Sequence, residues 1–206
     1  MQEQPVKAVV FDVGNVLVKW DPGLLYRTLI ADPVERNFFL SEVCSPAWNQ
    51  ELDRGLDWDV AIAERIATFP HYATWIAAYR DRWEEMVPGA ISGTVILLEN
   101  LVNAGHACYA LTNFNAETFR RTRARFPFFE LFRGIVVSGE EGLIKPDPRI
   151  FQCLTDRYGL EPAQTLLIDD VSANVAAARS CGWQAHQFTD AEKLAREMLR
   201  LGLMGN

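Results

Sequence analysis

The hydrophobic pattern changes period twice along the chain. Residues 6–18, VKAVVFDVGNVLV, form an apolar run rich in β-branched residues, interrupted by one aspartate and a Gly-Asn pair. Such a run predicts a buried strand that ends in a tight turn, with Asp12 at its carboxyl end. From about residue 20 to 87 the spacing is helical. Asp21-Pro22 and Asp32-Pro33 each set a capping carboxylate before a proline at the first helical position, predicting helices through about Ile30 and Val43. Further helices are expected near Pro46 to Arg54 and from Asp57, where Trp58, Ile62 and Ile66 share a face. After Pro70, Tyr72, Trp75, Ile76, Tyr79 and Trp83 recur every three or four residues, a stripe read as helix-packing core in preference to a binding box.

Pro88 to Ala104 reads as one more helix, stopped by Gly105. Beyond it strands and helices alternate. HACYALT, GIVVS, TLLIDD and WQAHQF are the strands, and the helices fall across Ala116–Arg125, Pro148–Tyr158, Ala173–Ser180 and about Ala191–Leu201. Repeated βα units with mostly apolar strands imply a parallel sheet covered on both faces. The expected fold class is therefore α/β: a Rossmann-like core of residues 1–19 and 88–206, with a small all-helical cap, 20–87, inserted after the first strand.

Composition narrows the function classes. A chain of 206 residues with 49% hydrophobic content has material for one large domain, or for a core with a small second one. The net charge of -7 argues against a broad nucleic-acid footprint. The one basic run, Arg120, Arg121, Arg123 and Arg125, reads as a solvated helix face. Cys44, Cys108, Cys153 and Cys181 are far apart and lack a Cys-x-x-Cys pair, so they are expected to be reduced core thiols. No signal-like segment opens the chain and no apolar run reaches membrane-spanning length, so a cytoplasmic protein without membrane contact is expected.

The carboxyl ends of the strands carry the chemistry. The first ends in Asp12, HACYALT ends in Thr112-Asn113, GIVVS is followed by Lys145-Pro146, and TLLIDD ends in Asp169-Asp170. Taken singly, Asp12 and Asp169 serve equally as turn or cap residues, Thr112 as a local backbone partner and Lys145 as a solvated charge. Taken together they gather three carboxylates, a hydroxyl and an ammonium on one rim, where ligands of open α/β sheets bind. Converging carboxylates repel unless a cation sits among them, and hard oxygen ligands without His or Cys point to Mg²⁺. An aspartate beside Mg²⁺ and a lysine can attack phosphorus, with Lys145, Thr112 and the Asn113 backbone N–H holding the transferred group.

The ordered set FDVGNVL, LTN, KPDP and LLIDD resembles the four motifs of the haloacid dehalogenase superfamily, across nearly the whole chain. The cap between the first two motifs is similar to that of glucose-1-phosphatase-like phosphatases and the N-terminal phosphatase domain of soluble epoxide hydrolase. The resemblance implies a Mg²⁺-dependent phosphatase acting on a small phosphorylated metabolite. It makes Asp12 the nucleophile and a metal ligand, Thr112 and Asn113 phosphate-binding, Lys145 the bridge between nucleophile and phosphate, and Asp170 a direct metal ligand. Asp169 is then a supporting metal-site carboxylate, and Asn174 supports the lysine or the metal waters.

The first motif departs from Asp-x-Asp, because Gly14 stands at the second acidic position. Its backbone carbonyl can still bind the metal, but the side chain that protonates the leaving group is missing, a loss of roughly 10²–10⁴ in rate if nothing replaces it. Three resolutions stay open: a cap residue such as Glu51 or Asp53 reaches in, the substrate carries a good leaving group, or turnover is slow. Two rival functions also stay open. A 2-haloacid dehalogenase needs no such acid, although the family's dehalogenases work without metal and carry uncharged residues where this chain has Asp169-Asp170. The other rival is a catalytically weak phosphate-binding or interaction module. Trp20, Trp48 and Tyr72 are read as cap core, and a monomer or weak homodimer is expected.

Overall fold

The structure, a computed structural model, describes residues 4–205. The outermost parts of the expected core, residues 1–3 and 206, lie outside the described residues. Five parallel strands form one sheet: β1 Ala8–Phe11, β2 Ala107–Thr112, β3 Gly134–Val137, β4 Thr165–Asp169 and β5 Gln184–Gln187, in the order β3-β2-β1-β4-β5. All four residues of β1 are buried because both faces of the sheet are covered. Val9 and Phe11 belong to one apolar cluster with Leu98, Leu101, Leu194 and Met198, while Ala8 and Val10 join Ile150, Phe151, Leu154 and Trp183 on the other side. This two-residue alternation explains why the strand is apolar throughout.

Among the described residues, six α-helices fall within 22–86: α1 Pro22–Leu29, α2 Pro33–Phe38, α3 Pro46–Asp53, α4 Trp58–Thr68, α5 Ala73–Asp81 and α6 Trp83–Met86. The Asp-Pro signals work as the sequence implies. Asp21 accepts from the Gly23 amide at 2.7 Å and Asp32 from the Val34 amide at 3.0 Å, satisfying helix-start donors that otherwise lack partners. The second helix does not run unbroken to Val43. It passes into a π-helical turn, Phe39–Val43, closed by the Cys44 amide on the Phe39 carbonyl at 2.8 Å. The aromatic stripe is interior packing: Tyr79 lies 5.3 Å from Trp48 and 6.1 Å from Trp83, centre to centre. Trp48 is buried, and Trp20 and Tyr72 pack against the same cluster, which is continuous with the sheet side of the protein.

Where the chain leaves and rejoins the sheet, tertiary pairing overrides local pattern. The helix expected from Pro88 begins only at α7, Ser92–Asn103. Residues 88–91 are held extended, with the Lys19 amide on the Gly89 carbonyl at 2.9 Å and the Ile91 amide on the Leu17 carbonyl at 2.8 Å. The remaining helices are α8 Ala116–Arg123, α9 Ser138–Glu141, α10 Pro148–Tyr158, α11 Ser172–Ser180 and α12 Ala191–Arg200. The short α9 has no counterpart in the sequence reading, since four residues are too few to show a period. The arginine run is also more than a solvated face. Arg121 binds Glu84 at 2.6 and 2.8 Å and the Arg80 carbonyl at 2.7 Å, and Arg125 binds the Val87 carbonyl at 2.9 Å. Arg80 in turn grips Glu117 at 2.7 and 2.9 Å, so these charges fasten α8 to α5 and α6.

Candidate active site

The order of the strands fixes the place where the site forms. Chain direction through the sheet reverses between β1 and β4, and the crevice beyond the carboxyl ends of such a pair is where doubly wound sheets bind ligands. Phe11 pairs with Ile168, which sets Asp12 level with Asp169, and the Asp12 amide bonds the Ile168 carbonyl at 2.8 Å. On the other side Phe11 pairs with Ala110, so Thr112 projects just past Asp12. Parallel register alone therefore brings the three strand ends together.

Lys145 joins them. Its Nζ lies 2.6 Å from Asp169 Oδ2 and 3.0 Å from Asp12 Oδ1, with its side chain 1% exposed. Asn113 holds the lysine backbone by a reciprocal pair: its Nδ2 donates to the Lys145 carbonyl at 2.9 Å, and its Oδ1 accepts from the Lys145 amide at 2.8 Å. Asn174 bonds the counter-ion of the lysine. It donates to both oxygens of Asp169, at 3.0 and 3.2 Å, and the Val171 amide adds a bond to Oδ1 at 2.9 Å. Asp169 is thus saturated with donors and serves as the counter-ion that fixes the ammonium.

One oxygen from each of Asp12, Asp169 and Asp170 lies within 4.8 Å of the others. Burial raises the Asp12 carboxyl to about 7, with Lys145 pulling it down and Asp169 pushing it up. For Lys145, burial works against the ammonium, but Asp12 and Asp169 outweigh it and hold its pKa above the ordinary lysine value. Half-buried Asp170 is raised by burial and by Asp169. With every group ionised, three carboxylates and one ammonium leave two negative charges, which a divalent cation balances. A second sign of an unmet partner is Thr112, whose buried Oγ1 has no hydrogen bond. Such an orphan costs about 1–3 kcal/mol unless a ligand oxygen meets it. The donor set and the orphan hydroxyl together fit a hard cation beside an oxyanion.

Gly14 leaves open space, since a Cβ built there meets nothing within 4 Å. Of the two acidic residues considered for that gap, Glu51 turns outward to Arg54, whereas Asp53 is half-buried and its Oδ2 accepts from Asn49 Nδ2 at 2.8 Å. Two residues escaped the sequence reading. Asn115 is recognisable as the cap of α8, but it also ties Trp58 Nε1 at 2.9 Å and the Leu52 carbonyl at 3.1 Å. Ser138, buried, accepts from the Phe114 amide at 2.8 Å. Neither long-range role has a local signal. A hollow of about 690 Å³ lined by Gln4, Trp183 and Gln184 lies at the amino ends of β4 and β5 and includes none of the rim groups.

Among known proteins, the sesquiterpene phosphatase astK of Aspergillus oryzae is 28% identical over 197 residues, 95% of this chain and 96% of its own. The HAD-family enzyme bt-2542 of Bacteroides thetaiotaomicron, solved with magnesium and inorganic phosphate, superposes with a TM-score of 0.70 at 20% identity, covering 89% of this chain and 94% of its own. The L-2-haloacid dehalogenase of Xanthobacter autotrophicus, with chloropropionic acid covalently bound, gives a TM-score of 0.61 at 19% identity, covering 95% and 83%. These two superpositions establish shared fold. The haloacid dehalogenase-like hydrolase family model matches residues 6–182, and the chain belongs to that hydrolase family.

Proposed function

We propose that this hydrolase is a Mg²⁺-dependent phosphatase that cleaves small phosphomonoesters through an aspartyl-phosphate on Asp12. Residues 1–19 and 88–206 are the catalytic core in this reading, and 20–87 the cap that covers it. The observation that carries it is the rim itself: Asp12, Asp169 and Asp170 converge around Lys145, beside a buried Thr112 hydroxyl that lacks a partner. The likeness to a phosphatase over 95% of the chain supports the same choice. So does the solved magnesium and phosphate complex of an enzyme with this fold.

Asp12 attacks phosphorus, and the ester oxygen departs with the bonding pair. Water then attacks the acyl-phosphate phosphorus, releasing inorganic phosphate and returning the Asp12 carboxylate. Lys145 and the Asn113 amide hold negative charge on the transferring group, and the Thr112 hydroxyl donates to one of its oxygens. Asp12, the Gly14 carbonyl and Asp170 would hold Mg²⁺, which would supply positive charge against the same group. Asp169 and Asn174 keep the ammonium and the metal-side carboxylate in place.

The purified protein is expected to release phosphate from p-nitrophenyl phosphate and from sugar phosphates, to stop under chelator, and to lose at least about 10³-fold activity in Asp12→Asn with its thermal midpoint retained. Chloride release from 2-chloropropionate under chelator, with no phosphate release, would replace this reading by the dehalogenase one that the superposition on a haloacid dehalogenase allows.

A further inference from the structure

The proposed chemistry lacks a proton donor. The ester oxygen leaves as an alkoxide unless it is protonated, and the water that hydrolyses the acyl-phosphate must lose a proton. On the β1 loop the position that would supply an acid is Gly14, and the volume beside it is open.

The helical block brings one acidic turn against the loops that follow β2 and β3. The turn Leu52–Gly55, at the end of α3, is pinned to two loops of the sheet side. Asn115 Nδ2 donates to the Leu52 carbonyl at 3.1 Å, and Ser138 Oγ donates to the Asp53 carbonyl at 2.5 Å. Gly55 packs so close to Gly139 that a Cβ would stand 3.0 Å from its carbonyl oxygen. Asn115 lies three residues beyond Thr112, so Asp53 is anchored to the loop that presents the candidate phosphate-binding groups. The Asp53 side chain is oriented by Asn49, which Tyr79 holds through a 3.0 Å hydrogen bond from its hydroxyl. Its carboxyl stands within the field of Asp12.

We propose that Asp53, delivered from the helical block, is the general acid and base of the reaction, replacing the carboxyl absent at Gly14. This rests on the phosphatase reading above. As the P–O ester bond breaks, the Asp53 carboxylic acid gives its proton to the leaving oxygen, which takes the bonding pair. The Asp53 carboxylate then accepts a proton from water while the water oxygen bonds phosphorus. The electrons of the bond between phosphorus and the Asp12 oxygen return to Asp12. Phosphate leaves, and Asp53 is protonated for the next cycle.

The electrostatics agree with this role. Burial raises Asp53 to about 7, the Asn115 amide opposing and Asp12 adding to the rise, and a carboxyl poised near neutral pH can both give and take a proton. Other charges on the elements packed around it are engaged elsewhere: Glu51 with Arg54, Glu117 with Arg80 and Glu141 with Arg157, while Glu140 is exposed. Among the described residues, Asp12 is the charged group that acts on it.

The test compares kcat/KM for p-nitrophenyl phosphate, whose leaving group needs no proton, with that for an alkyl phosphate such as glycerol 2-phosphate. In Asp53→Asn the alkyl ester is expected to lose on the order of 10²–10³-fold and the aryl ester less than about tenfold. The limb of the alkyl pH profile near neutrality should vanish with it, and the double variant Gly14→Asp/Asp53→Asn should recover at least about tenfold on the alkyl ester. Equal losses on both esters, or no loss, overturn the inference while the phosphatase reading stands, because then Asp53 only fastens the block. Wild-type protein inert toward both esters overturns the phosphatase reading and the inference with it. Should Asp53→Asn fail to fold, the wild-type protein decides: kcat/KM across aryl and alkyl phosphates nearly independent of leaving-group pKa supports an acid in place, and steep dependence overturns it.

Discussion

At the rim of the sheet, polar groups are buried because the backbone delivers them there. In the helical block over residues 22–86, aromatic rings fill the interior and polar groups mostly close helix ends. The rim places Asp12, Asp169 and Lys145 in contact at 2.6–3.0 Å, with the lysine and Asp169 nearly or wholly out of water. Its interactions are strong only while every partner is present, because each lone charge is expensive in a low dielectric. The block instead packs Tyr26, Phe39, Trp48, Tyr72, Trp75 and Tyr79 with centroids 4.6–6.2 Å apart, where loss of one ring leaves the others attractive. Chemistry and packing are thereby separated in sequence and joined at the Leu52–Gly55 turn, at the Arg80, Arg121 and Arg125 contacts, and where Trp58 and Trp83 meet Asn115 and Thr122.

Three substitutions sharpen this contrast. The largest effect is expected for Lys145→Met, which leaves Asp12 and Asp169 buried without their ammonium. Stability should fall by about 3–5 kcal/mol and turnover should be lost, both read from one preparation by urea unfolding and phosphate release. Retained stability would mean that the carboxylates are better solvated than the structure indicates. Phe39→Ala should destabilise by about 3–4 kcal/mol through the cavity it opens, yet leave inorganic phosphate affinity within about twofold below the melting transition. A phosphate affinity that falls in step with stability would show that the block and the rim are one unit. The smallest effect, and the one of opposite sign, is expected for Thr112→Val. Replacing an orphan hydroxyl by an isosteric methyl should stabilise the metal-free protein by about 1 kcal/mol while weakening inorganic phosphate binding by about tenfold. Calorimetry on the same sample measures both.

Much of this was legible locally. Strand β1 reads from Val9, Val10 and Phe11, whose two faces are both covered, and the Asp-Pro pairs mark α1 and α2 because capping is a contact between neighbours in sequence. The rim was legible for the same reason: carboxyl ends of parallel strands converge whatever joins them, so Asp12, Thr112 and Asp169 could be listed from strand ends, whereas Lys145 comes from the loop beyond β3 and α9. The start of α7 was not legible, since Pro88–Ile91 stays extended only through bonds to Leu17 and Lys19 seventy residues away in sequence. Nor was the direct partner of Asn174, which is Asp169, the counter-ion of the lysine.

The fate of the gap at Gly14 divides the two kinds of information most clearly. By itself the sequence determined that a carboxyl is absent there and that Glu51 and Asp53 lie in a helical insertion near enough in chain order to be considered. Only the tertiary structure decided where each of them lies, turning Glu51 out to Arg54 and tying the Asp53 turn to Asn115 and Ser138. The physical reason is range. Periodicity, caps and strand ends are set by residues within a few positions of one another, whereas the direction in which a helix end faces depends on side chains about 60 and 85 positions away.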